Sequence, residues 1–345
     1  MEITTLQVVW FLLIAVLWTG YLVLEGFDFG VGMLIPVLAR DDKERRVMIN
    51  TIAPVWDGNE VWVLTAGGAT FAAFPEWYAT LFSGFYLALL LILLALIARV
   101  VSFEWRGKFD DDRWRAWFDR GIIIGSWLPS ILWGVAFGNI VRGVPLDAQH
   151  QFVGSFLDLL NPFALLGGAT TTLIFLTHGA IYTTLKTDGE IRRRAGALAE
   201  RLAVVTLVVA GAWAVWLQLA YSEQAWTWAA TLVAAVALIS VVVSTRQRRE
   251  GYAFIGSAVA IVFAVVLIFG SLYPDVMPST IDPATNSLTL ANASSSQYTL
   301  GVMTWVAVIL TPFVLAYQAW TYWVFRKRIT VEGIPENAGL PVAKG

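Results

Sequence analysis

Four acidic residues lie within stretches of the sequence that are otherwise apolar enough to cross a membrane. Glu25 and Asp28 lie in the first hydrophobic segment, and Asp57 and Glu60 lie in the second. A carboxylate at the centre of a membrane helix costs about 2.5–3.5 kcal/mol, and such groups usually mark an ion or proton path. Each pair has i, i+3 spacing, so its members share one helix face. The pattern predicts a path for protons or cations along these carboxyl groups.

The depth of the acids follows from their distance to the ends of their segments. Measured from the ends that we predict to face the cytoplasm, Asp28 lies about 16 Å inward and Glu25 about 21 Å. On the same basis Asp57 lies about 10 Å inward and Glu60 about 15 Å. No comparable acid continues into the other half, which predicts a one-sided intake of protons from the cytoplasm to mid-membrane. Their expected functional weight decreases in the order Asp57 and Asp28, Glu25, Glu60.

Arg99 and Glu104 lie at the end of the third segment. They either guard the entrance of the path or form a surface ion pair.

The alternative for the four membrane acids is a structural role, in which they bond to Trp or Asn side chains or to a partner helix. Two other classes of protein also accommodate membrane acids: a stand-alone secondary transporter that uses them as its coupling site, and a membrane scaffold that uses them for assembly only.

The segments that carry these residues belong to a strongly apolar chain. Of 345 residues, 58% are hydrophobic and 14% are charged, whereas soluble domains have about 45–50% and 25%. A membrane-spanning helix takes about 20 residues. Nine stretches meet this length, at 7–38, 51–72, 78–99, 120–141, 157–185, 198–221, 225–244, 252–273 and 299–325. We therefore predict an all-α integral membrane protein with nine transmembrane helices.

The distribution of basic residues predicts how the helices are oriented. Every Lys and Arg except Arg142 falls in alternate connections or in the C-terminal tail, where Lys344 is the last of them. Because Lys and Arg collect on the cytoplasmic side, we expect the N-terminus outside and the C-terminus in the cytoplasm. The chain is predicted to be a multi-pass protein of the cell membrane.

A single membrane domain with two helical units is the expected organisation. We predict a first four-helix unit at 1–141, a second at 157–273, an outer loop at 274–298, a ninth helix at 299–325 and a cytoplasmic tail at 326–345. Glycines spaced four residues apart predict close helix packing. These pairs are Gly26/Gly30, Gly121/Gly125 and Gly134/Gly138.

Several kinds of chemistry are excluded or disfavoured by the residues that the chain lacks. It has no Cys, which excludes disulfides, thiolate metal sites and covalent c-type haem attachment. It has no GxxxxGK[ST] phosphate-binding loop. Of the two histidines, His150 lies in a loop, and His178 lies in the fifth segment. His178 is either a haem ligand or, as is commoner for buried polar residues, hydrogen-bonded. The chain alone is a poor candidate for redox chemistry.

Several motifs resemble those of one family. The stretch EGFDFGVGML at 25–34 resembles the GFDxGVGML segment of subunit II of the cytochrome bd quinol oxidases. Further similar stretches are RRVMINTIAPVWDGNEVW at 45–62, LTAGGATFAA at 64–73, GVAFGN at 134–139, LNPF at 160–163, VMPS at 276–279 and VMTWV at 302–306. The sequence departs from the family motif at Glu25, where the family has aspartate, and its connection at 221–225 is shorter than in some members.

The resemblance implies a subunit without haem that pairs with a haem-bearing subunit I. That partner holds the quinol site, two b haems and one d haem, and the complex oxidises quinol and reduces oxygen to water. It does not pump protons, but it takes reaction protons from the cytoplasm, which makes turnover electrogenic. Subunit II is implied to give support and a share of the proton and oxygen routes. The acid at Asp57 belongs to the proton route and to haem assembly, and Trp62 lies near an oxygen channel. The resemblance leaves open whether the complex also contains a structural quinone and small accessory subunits.

Overall fold

A computed structural model describes residues 2–335, which are almost entirely helical. The residues at 336–345, including Lys344 of the predicted tail, lie outside the described part. The helices are α1 (Thr5–Leu38), α2 (Asp42–Ile52), α3 (Trp56–Ala73), α4 (Pro75–Gly84), α5 (Tyr86–Trp105), α6 (Asp112–Arg142), α7 (Pro162–Lys186), α8 (Gly189–Ala220), α9 (Thr227–Arg246), α10 (Glu250–Leu272), α11 (Pro283–Asn286) and α12 (Gln297–Val324). A 3-10 helix at Phe156–Leu159 precedes α7.

Eight of the helices within residues 2–335 are long and apolar enough to cross a membrane, judged by length and composition: α1, α5, α6, α7, α8, α9, α10 and α12. The predicted second span corresponds to α3, which is not among the eight because its first turns are polar. The predicted start of this span near residue 51 is wrong. Residues up to Ile52 belong to the separate helix α2, and α3 begins at Trp56. Pro54 lies between them, and because proline has no backbone N–H it cannot continue the hydrogen bonds of α2.

The predicted third span is two helices rather than one. α4 ends at Gly84, Phe85 lies outside regular helix, and α5 continues to Trp105.

Two other helices begin earlier than their apolar segments. α6 begins at Asp112 after a cap by Asp111, and α8 begins at Gly189 after a cap by Asp188. Their first turns are rich in charged residues, which hydropathy excludes from a span although Arg and Glu form helices well.

Helix α1 lies at the centre of the bundle. It packs against α3 and α6 from the first half of the chain and against α7 and α10 from the second. Helix α5 packs along α6, and α7, α8, α9 and α10 pack in sequence. The predicted close packing at the glycine pairs is confirmed. A Cβ placed on any of these six glycines would come within 3.0 Å of an atom of a neighbouring helix.

The edge of the bundle has one helix that is mostly exposed. Helix α12 lies against α1 and α3, and Leu300 is its only fully buried residue. The connection at 274–298 is polar in sequence but ordered. Strand β1 (Asp275–Met277) pairs antiparallel with strand β2 (Leu288–Thr289), and buried hydrogen bonds from Ser279 and Asn286 hold this connection against Leu146.

Candidate functional site

The two acids of α1 lie where this helix makes its closest contacts. Glu25 and Asp28 are fully buried. Gly26 and Gly30 beside them let α7 approach, because a Cβ at Gly30 would lie 2.7 Å from Gly179 Cα. Gly32 lets α6 approach in the same way, since a Cβ there would meet the Ser126 side chain. The glycines of the EGFDFGVGML stretch therefore close the helices around the acids and keep lipid away from them.

Arg99 of α5 is the basic partner in this buried cluster. It is the largest fully buried side chain of the described residues, and its Nη1 donates to Glu25 Oε1. The guanidinium carbon also lies 4.6 Å from the centre of the Phe29 ring, which is a cation–π distance. Gly125 of α6 makes room for α5 here, because its Cβ would lie 2.6 Å from Arg99 Cβ. Arg99 thus neutralises a carboxylate that the bundle would otherwise bury without a counter-ion.

Asp28 takes part in a second arm of the cluster that reaches the outer helix α12. Asn59 of α3 donates from Nδ2 to Asp28 Oδ2 at 2.7 Å. The Oδ1 atom of Asn59 accepts hydrogen bonds from the Tyr322 hydroxyl at 2.7 Å and from Gln318 Nε2 at 3.3 Å. Side chains from α1, α3 and α12 are therefore joined in one polar chain through a largely apolar part of the protein.

The two acids of α3 occupy different surroundings. Glu60 is mostly buried, with 14% of its side chain exposed, and its Oε2 lies 3.9 Å from Arg99 Nη1. Asp57 is exposed and lies in the first turn of α3. Its predicted depth assumed a helix that begins near residue 50, so that estimate is too large. The structure brings Glu25, Asp28 and Glu60 together around Arg99 and leaves Asp57 at the surface.

Of the two alternatives for Arg99 and Glu104, the surface ion pair is wrong. Arg99 is fully buried and pairs with Glu25, whereas Glu104 is exposed on the last turn of α5.

Trp62 has contacts that the sequence did not indicate. Its indole Nε1 donates to Gln318 Oε1 at 2.9 Å, and its ring covers Gly20. Trp62 thus connects α3 to α1 and α12 just beyond Asn59.

Several polar atoms of the cluster have no hydrogen-bond partner within residues 2–335. They are Glu25 Oε2, Asp28 Oδ1, Glu60 Oε2, Arg99 Nε and Arg99 Nη2. A buried polar group without a partner is costly, and internal water usually binds such groups. Three carboxyl groups and one guanidinium also leave the cluster with more acidic than basic groups. These features are those of a site that holds internal water.

His178 does not fit a haem ligand. Both ring nitrogens of His178 have protein partners, since Nε2 lies 3.1 Å from the Val23 carbonyl oxygen and Nδ1 lies 2.7 Å from Ser257 Oγ. Its ring is also stacked on Phe254. An axial ligand needs a free ring nitrogen that faces the iron. His150 lies in a connection, where Nδ1 contacts the Asn286 carbonyl oxygen. Within the described residues, no group of three or more His, Asp or Glu side chains could hold a metal ion.

Sequence reasoning missed three members of the polar chain: Asn59, Gln318 and Tyr322. A signal was present for two of them. Asn59 lies between the two acids of α3, and Gln318 is an amide within the apolar ninth segment. Tyr322 had no comparable signal, because tyrosines are common near the ends of membrane spans.

Comparisons with known proteins agree with the motifs. A sequence family described as cytochrome bd terminal oxidase subunit II matches residues 6–325. Cytochrome bd-I ubiquinol oxidase subunit 2 of Escherichia coli (strain K12) is 41% identical, covering 96% of this chain and 97% of that protein. Cytochrome bd ubiquinol oxidase subunit 2 of Bacillus subtilis (strain 168) is 42% identical, covering 94% of this chain and 97% of that protein.

A solved structure supports the fold. A chain in the structure of bd oxidase from Geobacillus thermodenitrificans aligns with a TM-score of 0.75 over 93% of this chain and 99% of that chain. At 16% identity this likeness supports the fold alone. The resemblance drawn from the motifs is confirmed by the family match and by the two relatives. The chain is an integral membrane protein that belongs to the family of cytochrome bd terminal oxidase subunit II.

Proposed function

We propose that this chain is the non-haem subunit of a quinol:oxygen oxidoreductase of aerobic respiration. Support comes from family membership and from the two relatives, whose names describe ubiquinol oxidase subunits. The partner is a haem-bearing subunit I, which carries two b haems, one d haem and the quinol site. Haem in the partner also agrees with the engaged ring nitrogens of His178. A structural quinone and small accessory subunits are components to look for in the purified complex.

The proposal includes nine spans, which are the eight apolar helices and α3. They form a unit at 1–141, a unit at 157–273 and a ninth helix at 299–325, with the connection at 274–298 outside and the tail at 326–345 in the cytoplasm. Within the units, α1 packs against α3 and α6, and α7 through α10 pack in sequence, while α1 also joins the two units by its contacts with α7 and α10. The N-terminus then lies outside. Lys and Arg in alternate connections support this orientation.

The buried cluster is the observation that carries the functional proposal. Protons enter from the cytoplasm at the exposed Asp57, with Glu104 at the mouth, and pass to Glu60, which is partly exposed. From there they pass by way of water to Asp28, near the Glu25–Arg99 ion pair. The polar atoms without protein partners supply donors and acceptors for such water. An intake that opens to one side only makes oxygen reduction electrogenic without pumping.

A second route, for oxygen, belongs to the same proposal. An apolar cavity of about 80 Å³ lies among α1, α3, α4, α5, α6 and α10, and its lining includes Val63 and Gly67 of α3. Trp62 is the neighbour of Val63 in the chain. Oxygen is small and apolar, and apolar cavities of this kind hold such molecules in preference to water. Trp62 would then border the oxygen route.

Co-expression tests the assignment as a subunit. We expect haem absorbance and quinol-dependent oxygen uptake only when this chain is purified with its haem-bearing partner. The control is the same chain expressed alone, for which we expect neither signal. Substrate flux by the lone chain in proteoliposomes, together with a complex that lacks oxygen uptake, would favour the transporter over the oxidase.

Asp28→Asn tests the proton route. We expect oxygen reduction to fall by about tenfold or more, because the amide keeps the hydrogen-bonding shape but does not carry a proton.

Asp57→Asn should lower turnover or haem content, since it removes the exposed acid at the start of the route. The readouts are oxygen uptake and haem content per complex. The matched control is Glu76→Gln, an exposed acid on α4. Wild-type turnover and haem content in both Asp variants would mean that these acids have only a structural role.

A further inference from the structure

A large open cavity lies at the other end of the bundle from the 274–298 connection and outside the acid cluster. Its volume is about 570 Å³, and it lies between the end of α7, the first three turns of α8 and the connection from α9 to α10. Its floor is apolar, with Ile181, Ala199 and Ala253. Its rim is charged, with Arg192, Arg193, Arg248 and three acidic residues. The volume falls within the range of small-molecule sites.

The length of α8 places this cavity at the level of lipid headgroups. The helix has 32 residues and is therefore about 48 Å long, whereas the hydrocarbon core is about 30 Å thick. Charged residues end at Arg201, and an apolar run begins at Leu202. Glu200 of α8 and Thr245 of α9 both line the cavity. The cavity therefore begins where the helices leave the hydrocarbon and opens among the headgroups.

Most of the charges at the rim are already neutralised by each other. Glu250 accepts hydrogen bonds from Arg192 at 2.7 Å and from Arg328 at 3.0 Å. Arg193 pairs with Glu190 at 2.5 Å. Arg248 is different, because its guanidinium makes no hydrogen bond or ion pair with any residue between 2 and 335. Arg248 is thus the rim guanidinium that has no acidic partner among the described residues and is free to bind an anionic group.

The start of α10 adds further donors beside Arg248. The helix begins at Glu250, and its N-cap residue Arg249 provides no side-chain cap. The first N–H groups of a helix lack intrahelical partners, and phosphate binds readily at such a terminus. The Arg248 guanidinium, the N-terminus of α10 at Glu250 and an apolar floor therefore border one cavity.

We propose that this cavity binds the phosphate headgroup of an anionic phospholipid. The phosphate contacts Arg248 and the first turn of α10, and the acyl chains lie along exposed apolar side chains of α8 such as Val204 and Val208, which continue the helix face of Glu200. A lipid fits better than a soluble phosphate compound because the floor is apolar and the cavity opens at the headgroup level. This lipid site lies apart from the proposed proton route, so the two proposals are tested independently of each other.

Two variants of the intact complex test the proposal. Arg248→Gln removes the free charge, and we expect phosphatidylglycerol to bind about fivefold more weakly. Gly196→Leu fills the cavity, because a Cβ at Gly196 would meet only Thr184, at 3.8 Å. We expect that variant to lose the bound lipid while it still assembles. The matched control is Arg120→Gln, an exposed arginine on α6, which should bind like the wild type.

Native mass spectrometry of the delipidated complex, titrated with phosphatidylglycerol, counts the bound lipids and gives their relative affinities. Phosphatidylcholine and glycerol 3-phosphate serve as comparison ligands, and both should bind more weakly. Equal retention of phosphatidylglycerol by the wild type and both variants would overturn the site. Glycerol 3-phosphate that binds as tightly as phosphatidylglycerol would overturn the lipid assignment in favour of a soluble phosphate compound.

Discussion

Arg99→Met is expected to destabilise the protein by about 3–5 kcal/mol, which is the usual cost of breaking a buried ion pair from one side. The methionine fills much of the space of the arginine, so a cavity adds little. The cost arises because Glu25 stays fully buried and loses the guanidinium that neutralises it. Glu60 loses its nearby positive charge as well. Thermal unfolding of the purified complex and its haem content measure the effect.

A double variant separates the charge effect from a general loss of packing. Arg99→Met combined with Glu25→Met should recover a large part of the lost stability, since buried ion pairs can often be replaced by apolar residues of similar volume. The control is Arg120→Met, an exposed arginine that lies over the Trp117 ring. Surface changes of this kind usually stay within about 0.5 kcal/mol. A double variant that is less stable than Arg99→Met alone would contradict the ion-pair explanation.

Gly30→Ala is expected to destabilise the bundle by about 1–3 kcal/mol or more, the range for overpacked cores. The added Cβ would meet the Phe175 carbonyl oxygen and would lie 2.7 Å from Gly179 Cα. Both are backbone atoms, so no side-chain rotation can relieve the contact, and α1 and α7 must separate. The same separation would displace Asp28, two residues away. We therefore expect both a lower unfolding temperature and slower oxygen uptake.

A glycine without close neighbours provides the control for this substitution. A Cβ at Gly211 in the middle of α8 would meet no atom within 4 Å. Gly211→Ala should therefore be neutral, or stabilising by up to about 1 kcal/mol, because alanine favours the helical backbone. Equal unfolding temperatures for Gly30→Ala and Gly211→Ala would show that the contact between α1 and α7 is looser than its geometry indicates.

The sequence predicted the helical architecture well, because apolar length alone selects a membrane helix. It failed at the ends of several helices. α8 begins at Gly189, whereas its apolar segment starts near 198, since the charged first turns form helix without entering the hydrocarbon. The second span began too early for a related reason. Hydropathy does not separate Ile52 in α2 from Trp56 in α3, whereas the turn at Pro54 does.

The candidate site was predicted in part. The position of the acids within apolar segments identified Glu25, Asp28 and Glu60 as unusual, and the structure places all three around Arg99. The partners could not be predicted, because they are distant in the chain. Arg99 lies 74 residues from Glu25, and Tyr322 lies 263 residues from Asn59. Spacing along one helix carries no information about which side chains of other helices face it.

The sequence by itself determined that this is a membrane protein with acids in its spans, and its motifs identified the family. These properties depend on local composition and on the cost of placing charge in hydrocarbon. Only the tertiary structure decided which acids are buried. Asp57 lies in the first turn of α3 and is exposed, whereas glycines in α1 and α6 bring the helices close enough to enclose Glu25 and Arg99. Burial depends on packing between helices, and packing depends on contacts that no single segment contains.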